Sequence, residues 1–184
     1  VHIRIDGKDY IVIQLKNGDI KILNRRGEDR IVVENKIQYN DNIVYSYLGS
    51  FTTSDNQGNL IQIDTDGNFN RNNLNLSENS MINISDDKLV YISEDILSIK
   101  GIDVKLPIGR YSKPKIFNIS RNFFVGITDL NDNNIYLFND GGELVKGFPL
   151  KGSSSYDLID SDMDGKLEII SKIDNFSIVS YEIN

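Results

Sequence analysis

A short polar turn followed by a β-strand recurs five times along the chain, and this recurrence narrows the possible folds more than any other property of the sequence. The copies span residues 17–23, 57–63, 93–99, 133–138 and 175–181. The anchor residues of these strands are Ile20, Leu60, Ile96, Ile135 and Phe176, which follow one another at steps of 40, 36, 39 and 41 residues. A period of about 40 residues built from short strands is typical of β-propeller blades.

Each copy divides into strands in the same way. The predicted first strands are 1–5, 42–48, 80–85, 114–119 and 156–159, and the second strands are 10–15, 49–53, 88–92, 122–128 and 167–173. The recurring strand comes third, and a more polar fourth stretch closes four units at 30–34, 71–76, 104–107 and 143–149. The sequence therefore predicts an all-β propeller of about five four-stranded blades, and a β-sandwich is the alternative.

We expect a single domain over residues 1–184, with repeats at roughly 1–40, 41–78, 79–112, 113–152 and 153–184. Two arrangements remain open, because the fifth unit ends after its third predicted strand. The chain is either a segment of a larger ring, whose remaining blades it would contact, or a five-blade ring with one three-stranded blade. The lack of an initiator Met favours the segment.

The amino-acid composition also favours β-strands over helices. Alanine, the strongest helix former, is absent, and 28 of the 184 residues are isoleucine, a β-branched residue that favours strands. The chain also has 22 asparagines and 14 glycines, which supply turns. The dipeptide Asn17-Gly18 predicts a type I′ hairpin turn, in which both central residues have positive φ.

Composition also weighs against several functions. Cysteine is absent and His2 is the one histidine, so we expect no disulfide, no zinc site, no catalytic residues and no organic cofactor. The net charge is −7, the 20 Lys and Arg are dispersed along the sequence, and residues 24–26 predict a hairpin end, so we expect no nucleic-acid binding. No apolar run approaches the roughly 20 residues of a membrane span.

One loop has the spacing of a metal site. Residues 160–168 read Asp-Ser-Asp-Met-Asp-Gly-Lys-Leu-Glu, with acidic residues at loop positions 1, 3, 5 and 9 and a glycine at position 6 for the sharp turn. Calcium takes six to eight oxygen ligands, and crowded carboxylates repel one another unless a cation neutralises them. Position 12, glutamate in an EF-hand, is Ser171, which excludes an EF-hand. A solvated acidic turn is the alternative to calcium.

The predicted calcium ligands are Asp160, Asp162, Asp164 and Glu168 through their carboxylates and Lys166 through its carbonyl. The first unit contains a related segment, because residues 6–8 align with residues 164–166. His2 and Arg4 then stand where the fifth unit has Asp160 and Asp162, so we expect no calcium in the first unit.

The loop and the strand after it resemble the calcium loops of FG-GAP or VCBS-type propeller repeats, as in integrin-like heads. Together with Leu-Val-Lys-Gly-Phe-Pro at 144–149, residues 132–184 resemble the C-terminal propeller repeats of secreted or periplasmic bacterial proteins. The resemblance implies the same calcium ligands and an extracytoplasmic location. It is partial, because the Phe-Gly and Gly-Ala-Pro signatures are missing and one of the five units has the full acidic loop.

These observations predict a non-enzymatic binding or scaffold module that engages a protein or glycan partner and has one calcium-stabilised loop. The alternatives are the propeller part of a carbohydrate-active enzyme, in which carboxylates of several blades would converge, and a lectin-like ring.

Overall fold

The computed structural model describes residues 1–39, 43–119 and 122–183. Within these ranges the regular secondary structure consists of β-strands alone. The predicted strand 42–48 begins at Asn42, which lies outside the described residues, as does the boundary between the first two repeats. The strands are β1 (His2–Ile5), β2 (Lys8–Gln14), β3 (Ile20–Leu23), β4 (Asp29–Ile31), β5 (Tyr45–Tyr47), β6 (Ser50–Ser54), β7 (Asn59–Ile63), β8 (Phe69–Asn73), β9 (Met81–Ser85), β10 (Lys88–Ser93), β11 (Ile96–Ile99), β12 (Ile102–Lys105), β13 (Lys115–Ile119), β14 (Asn122–Asp129), β15 (Asn134–Asn139), β16 (Leu150–Lys151), β17 (Asp157–Ile159), β18 (Leu167–Lys172) and β19 (Ile178–Ile183).

The strands of the described residues form five sheets, and within each sheet neighbours in space are neighbours in sequence. Four sheets have four strands, β1–β4, β5–β8, β9–β12 and β13–β16, and the fifth has three, β17–β19. Every pairing whose register is given is antiparallel, as hairpin connections require. The prediction of an all-β chain built from repeated four-stranded units is confirmed.

The chain divides into two compact units, Val1–Leu89 and Val90–Asn184. In the first unit, apolar residues of the first two sheets form one core, in which the rings of Tyr10 and Phe51 meet edge to face with centroids 4.9 Å apart. In the second unit, Phe117 stacks on Tyr156 at 5.7 Å within a core that includes Ile169. Each core buries apolar side chains between sheets, which is the main driving force for folding.

Three turns that follow a third strand share one hydrogen-bond pattern, whereas the turn between β11 and β12 has two residues, Lys100 and Gly101. The Asn24 side-chain oxygen accepts the backbone N–H groups of Arg26 (2.8 Å) and Glu28 (3.1 Å), and Gly27 takes a left-handed φ of +80°. The same pattern recurs at residues 64–68 and 139–143, with side-chain oxygens of Asp64 and Asn139 as acceptors. This side-chain cap satisfies turn amides that the sheet leaves unpaired.

Two of the turn glycines, Gly67 and Gly142, also pack on the preceding sheet. A Cβ on Gly67 would lie 3.3 Å from Ile31 Cγ2, and one on Gly142 would lie 2.9 Å from Val104 Cγ2. Ile31 belongs to β4 and Val104 to β12, the fourth strands of the sheets that come before. In both places the missing side chain allows a turn to lie against the neighbouring sheet.

Two local predictions are wrong. The N–H of Leu15 donates to the Asp19 carbonyl at 2.8 Å, so the loop between them has three residues, and of Asn17 and Gly18 only Gly18 has a positive φ. This pattern matches a hairpin loop that closes on a left-handed glycine, not a type I′ turn. Phe176, taken as the fifth anchor, is 98 % exposed in a hairpin turn, and the third strand begins at Ile178.

The fourth strand of the fourth sheet differs from the predicted stretch 143–149. Leu144 forms an isolated bridge with Phe138, and regular pairing resumes at β16, whose Leu150 lies opposite Ile135. Between them Gly147 has a left-handed φ of +96°, and Pro149 has no N–H to donate. The two residues together interrupt the strand that the sequence predicts as continuous.

Candidate metal site

The acidic loop joins two strands of the fifth sheet. Its ends are held by the antiparallel ladder, in which Ile159 lies opposite Glu168. Two left-handed residues turn the chain between these ends, Gly165 at a φ of +89° and Met163 at +64°. A positive φ is unusual for methionine, whose side chain is 91 % exposed here. The loop curls as the glycine at position 6 predicts.

Backbone N–H groups draw the loop around its first aspartate. The two carboxylate oxygens of Asp160 accept the N–H groups of Asp164 at 3.1 Å and Gly165 at 3.0 Å. The Asp164 N–H also lies 3.2 Å from Asp162 Oδ1. These bonds place the carboxylates of Asp160 and Asp162 on the inside of the turn.

Three carboxylates converge at this loop. One oxygen each of Asp160, Asp162 and Glu168 lies within 4.8 Å of the other two. Two oxygens bound to the same calcium at about 2.3–2.6 Å lie at most about 5 Å apart, so this spacing suits a single ion. Glu168 is 8 % exposed and the two aspartates face solvent, which leaves a way in for the ion.

Asp164, a fourth predicted carboxylate ligand, is not one of the three residues whose oxygens converge. Asp164 accepts the Lys166 N–H at 2.9 Å, and its second oxygen lies 3.8 Å from Lys166 Nζ. The same Nζ donates to Glu182 at 2.9 Å, and this hydrogen bond together with the charge of Glu182 raises the pKa of Lys166. Ligation by Asp164 and by the Lys166 carbonyl stays a prediction.

Ser161 makes contacts within the loop that spacing does not reveal. Its backbone N–H and its hydroxyl both donate to Glu168 Oε2 at 2.7 Å. The two bonds orient the least exposed of the three carboxylates toward the loop. Serine at loop position 2 is not part of an alternating acidic pattern, so the sequence contains no signal for this role.

The matching turn of the first sheet is different. In the first sheet Lys8 lies opposite Ile5, so the turn between them has two residues, Asp6 and Gly7. In the fifth sheet Glu168 lies opposite Ile159, so eight residues, 160–167, separate the paired positions. The turn of the first sheet is therefore too short to form a loop like that of residues 160–168.

No protein-family model matches this chain, and no curated protein matches it. Solved structures are similar to it in fold. The computationally designed protein Ika8 has a TM-score of 0.65 and 14 % identity, covering 95 % of this chain and 55 % of Ika8. BamB from Moraxella catarrhalis has a TM-score of 0.56 and 15 % identity, covering 100 % of this chain and 58 % of BamB.

A streptogramin B lyase has a TM-score of 0.53 and 20 % identity, covering 97 % of this chain and 66 % of the lyase. BamB and this lyase have β-propeller-like folds, and the same class describes the present chain, whose five sheets are each antiparallel. The chain spans 55 % to 66 % of the length of these three proteins. Across the described residues, no helix is long and apolar enough to cross a membrane.

Proposed function

We propose that this chain is a non-enzymatic binding or scaffold module of an extracytoplasmic bacterial protein, in which calcium holds the 160–168 loop and the ends of the sheets engage a protein or glycan partner. The observation that carries the proposal is the convergence of three carboxylate oxygens, from Asp160, Asp162 and Glu168, within 4.8 Å. The resemblance of this loop to FG-GAP and VCBS-type calcium loops supports the same interpretation.

The donor set suits calcium because all three groups offer hard oxygen ligands. Asp160 and Asp162 would supply the exposed side of the site, and Glu168, oriented by Ser161, the buried side. Asp164 and the Lys166 carbonyl would complete the set. Bound calcium would neutralise the repulsion among the carboxylates and fix the ends of β17 and β18.

We infer an extracytoplasmic location from the kind of site that we propose. Two of the three converging carboxylates are exposed, and we expect such an open site to bind calcium weakly. Extracellular calcium modules bind with a Kd of about 10⁻⁴–10⁻³ M, which suits a compartment rich in calcium. The absence of cysteine is compatible with either side of a membrane.

Calcium titration tests the proposal. We expect the full chain to bind calcium with a Kd in the range of about 10⁻⁴–10⁻³ M and its melting temperature to rise when millimolar calcium is added. Asp162→Ala should abolish both effects, since it removes one of the three converging ligands. Asp174→Ala is the matched control, because it removes an exposed aspartate from the other hairpin of the same sheet.

Two results would contradict the proposal. If the wild-type chain shows neither binding heat nor a shift in melting temperature at millimolar calcium, the loop is a solvated acidic turn. Turnover of any substrate on a panel of glycans would contradict the non-enzymatic role, because the propeller fold is compatible with both binding and catalysis.

A further inference from the structure

Five cationic side chains gather at one end of the first sheet, although the chain as a whole has a net charge of −7. They line an open groove of about 460 Å³ together with Gly7, Asp9 and Asn24. The cations are Arg4, Lys8, Arg25, Arg26 and Arg30. Among the described residues that line the groove, Asp9 is the one carboxylate.

The topology of the sheet explains why residues so far apart in sequence meet. The β1–β2 turn and the β3–β4 turn lie at the same end of the sheet, because consecutive strands run antiparallel. Arg4 pairs with Asp9 across β1 and β2. The β2–β3 register pairs Ile11 with Leu23, and extending it by two residues brings Arg25 level with Asp9.

Asp9 holds two of the cationic side chains of the groove, Arg25 and Arg30, in place. Its side chain is 11 % exposed, forms an ion pair with Arg25 and lies 3.0 Å from His2 Nε2. Desolvation raises the pKa of Asp9, but the hydrogen bonds with His2 and Arg25 outweigh it and hold the pKa below its usual value. Arg30 donates to the Asp9 carbonyl at 3.0 Å and lies over the Tyr10 ring at 4.9 Å. Arg25 and Arg30 are therefore held in place before any ligand arrives.

The other three cations are less constrained than Arg25 and Arg30, although the charge of Arg4 also acts on Asp9. Within the described part of the chain, Arg4, Lys8 and Arg26 form no hydrogen bond or ion pair through their side chains, and all three are exposed. The turn between the first two strands is basic in its surroundings in the first sheet, whereas the corresponding connection of the fifth sheet is the acidic loop 160–168.

We propose that this groove binds a multivalent oxyanion, a phosphate or sulfate group, with Arg4, Lys8 and Arg26 as its main contacts. Guanidinium groups match such oxyanions with pairs of parallel hydrogen bonds, and the ion pair of Arg25 with Asp9 limits the reorganisation that binding requires. A groove of 460 Å³ accommodates one such group or two linked ones. The site is in a different sheet from the calcium loop, so either proposal can fail without the other.

Isothermal titration of the full chain with inorganic pyrophosphate tests the proposal. We expect binding that weakens as salt rises, because the contacts are between exposed charges. The double variant Arg4→Gln with Arg26→Gln should weaken binding by at least about tenfold, since it removes two charge-assisted contacts. The single variant Lys8→Gln should weaken it by a smaller factor. Melting curves establish that each variant is folded.

The control is Lys146→Gln with Lys172→Gln, which removes the same net charge from exposed positions of the second unit. It should keep the affinity within about twofold of wild type if the contacts are local. Inorganic phosphate and sulfate, titrated separately, show which group the groove prefers, and tighter binding of either supports the proposal. Absence of binding to all three anions, or an equal loss in the control, would overturn it.

Discussion

The hydroxyl of Tyr156 lies in a closely packed part of the second unit. It donates to the Tyr136 carbonyl at 2.5 Å, and its ring stacks on Phe117. Gly126, in β14, faces both rings, and a Cβ there would lie 2.6 Å from Tyr156 Oη and 2.8 Å from Phe117 Cε2. Glycine is required here for space and not for an unusual φ.

We expect Gly126→Ala to lower the free energy of unfolding by about 1–3 kcal/mol, because a methyl group must displace two packed aromatic rings. Urea denaturation measures the change. Gly141→Ala is the control, since a Cβ there would meet one atom, Asn139 Oδ1, at 3.3 Å. Equal stability of Gly126→Ala and wild type would mean that the two rings can move apart at little cost.

The Tyr45 hydroxyl makes the free energy of unfolding depend on pH in the alkaline range. Burial raises its pKa to about 12, and its hydroxyl donates to the Ile82 carbonyl at 3.1 Å. In the unfolded chain tyrosine ionises near pH 10. Because the folded pKa is the higher of the two, the contribution of Tyr45 is complete below pH 10 and is lost as the pH rises through about 12.

We therefore expect the free energy of unfolding to fall between about pH 10 and 12, and to fall less steeply in Tyr45→Phe. Denaturant titrations at several pH values give the slope, and tyrosinate absorbance gives the pKa directly. The difference between the two proteins isolates Tyr45 from the other buried tyrosines. Parallel slopes for the two proteins would contradict the assignment.

At the scale of elements, the turns at residues 55–59 and 64–68 have the same hydrogen bonds but differ in burial, so these bonds should contribute differently to the free energy of unfolding. Asp55 accepts the N–H groups of Gln57 and Asn59 at 2.9 and 3.0 Å, and it is 4 % exposed. Asp64 accepts two amides at 2.9 Å in the same pattern, at the surface. Water can replace the lost acceptor only at the exposed turn.

We expect Asp55→Ala to lower the free energy of unfolding by about 2–3 kcal/mol, because it leaves the buried Asn59 amide and the partly buried Gln57 amide without an acceptor. Asp64→Ala is the matched variant in an exposed turn and should have a clearly smaller effect. Thermal and urea unfolding of the two proteins measure the difference. Similar losses in both would show that burial does not decide the energy of this turn.

The sequence predicted the strands well wherever turn and strand alternate at a regular spacing. The third strands from Ile20, Leu60 and Ile96 all begin at their anchors or one residue before them. The prediction was wrong where one residue changes the local geometry, as Gly147 does in the fourth sheet. A pattern of alternating polarity does not reveal the backbone angles of single residues.

The candidate site was predictable in part. Acidic spacing identified Asp160, Asp162 and Glu168, which converge, but could not identify the hydrogen bonds from Ser161. The basic groove was missed, although residues 24–26 were correctly predicted as a hairpin end. Its cations are dispersed in sequence, and only the strand topology shows that two turns lie at the same end of the sheet.

At the scale of the whole molecule, the three-stranded fifth sheet differs from the other four. Among the described residues, β19 pairs with β18 on one side and has no strand on the other. Ile178, at the start of β19, is 75 % exposed, and Phe176 in the preceding turn is 98 % exposed. An apolar sheet edge of this kind favours pairing with another chain.

We expect the chain to self-associate with rising concentration, and Ile178→Lys to reduce this association, because a charge on an edge strand opposes pairing. Sedimentation velocity over a range of concentrations measures it. Ile108→Lys is the control, since Ile108 is 95 % exposed and lies outside the strands. An equal reduction in both variants would point to general surface hydrophobicity and not to the edge of β19.

The glycine at the turn of one sheet lies against a methyl group of the sheet before it, at Gly67 on Ile31 and at Gly142 on Val104. The first and second sheets, and likewise the third and fourth, therefore each contribute half of a shared contact. Duplication or exchange of repeats during evolution preserves this contact only when the donor and recipient segments agree at both positions. A segment that contains two neighbouring sheets, the first with the second or the third with the fourth, would carry both halves of its contact with it.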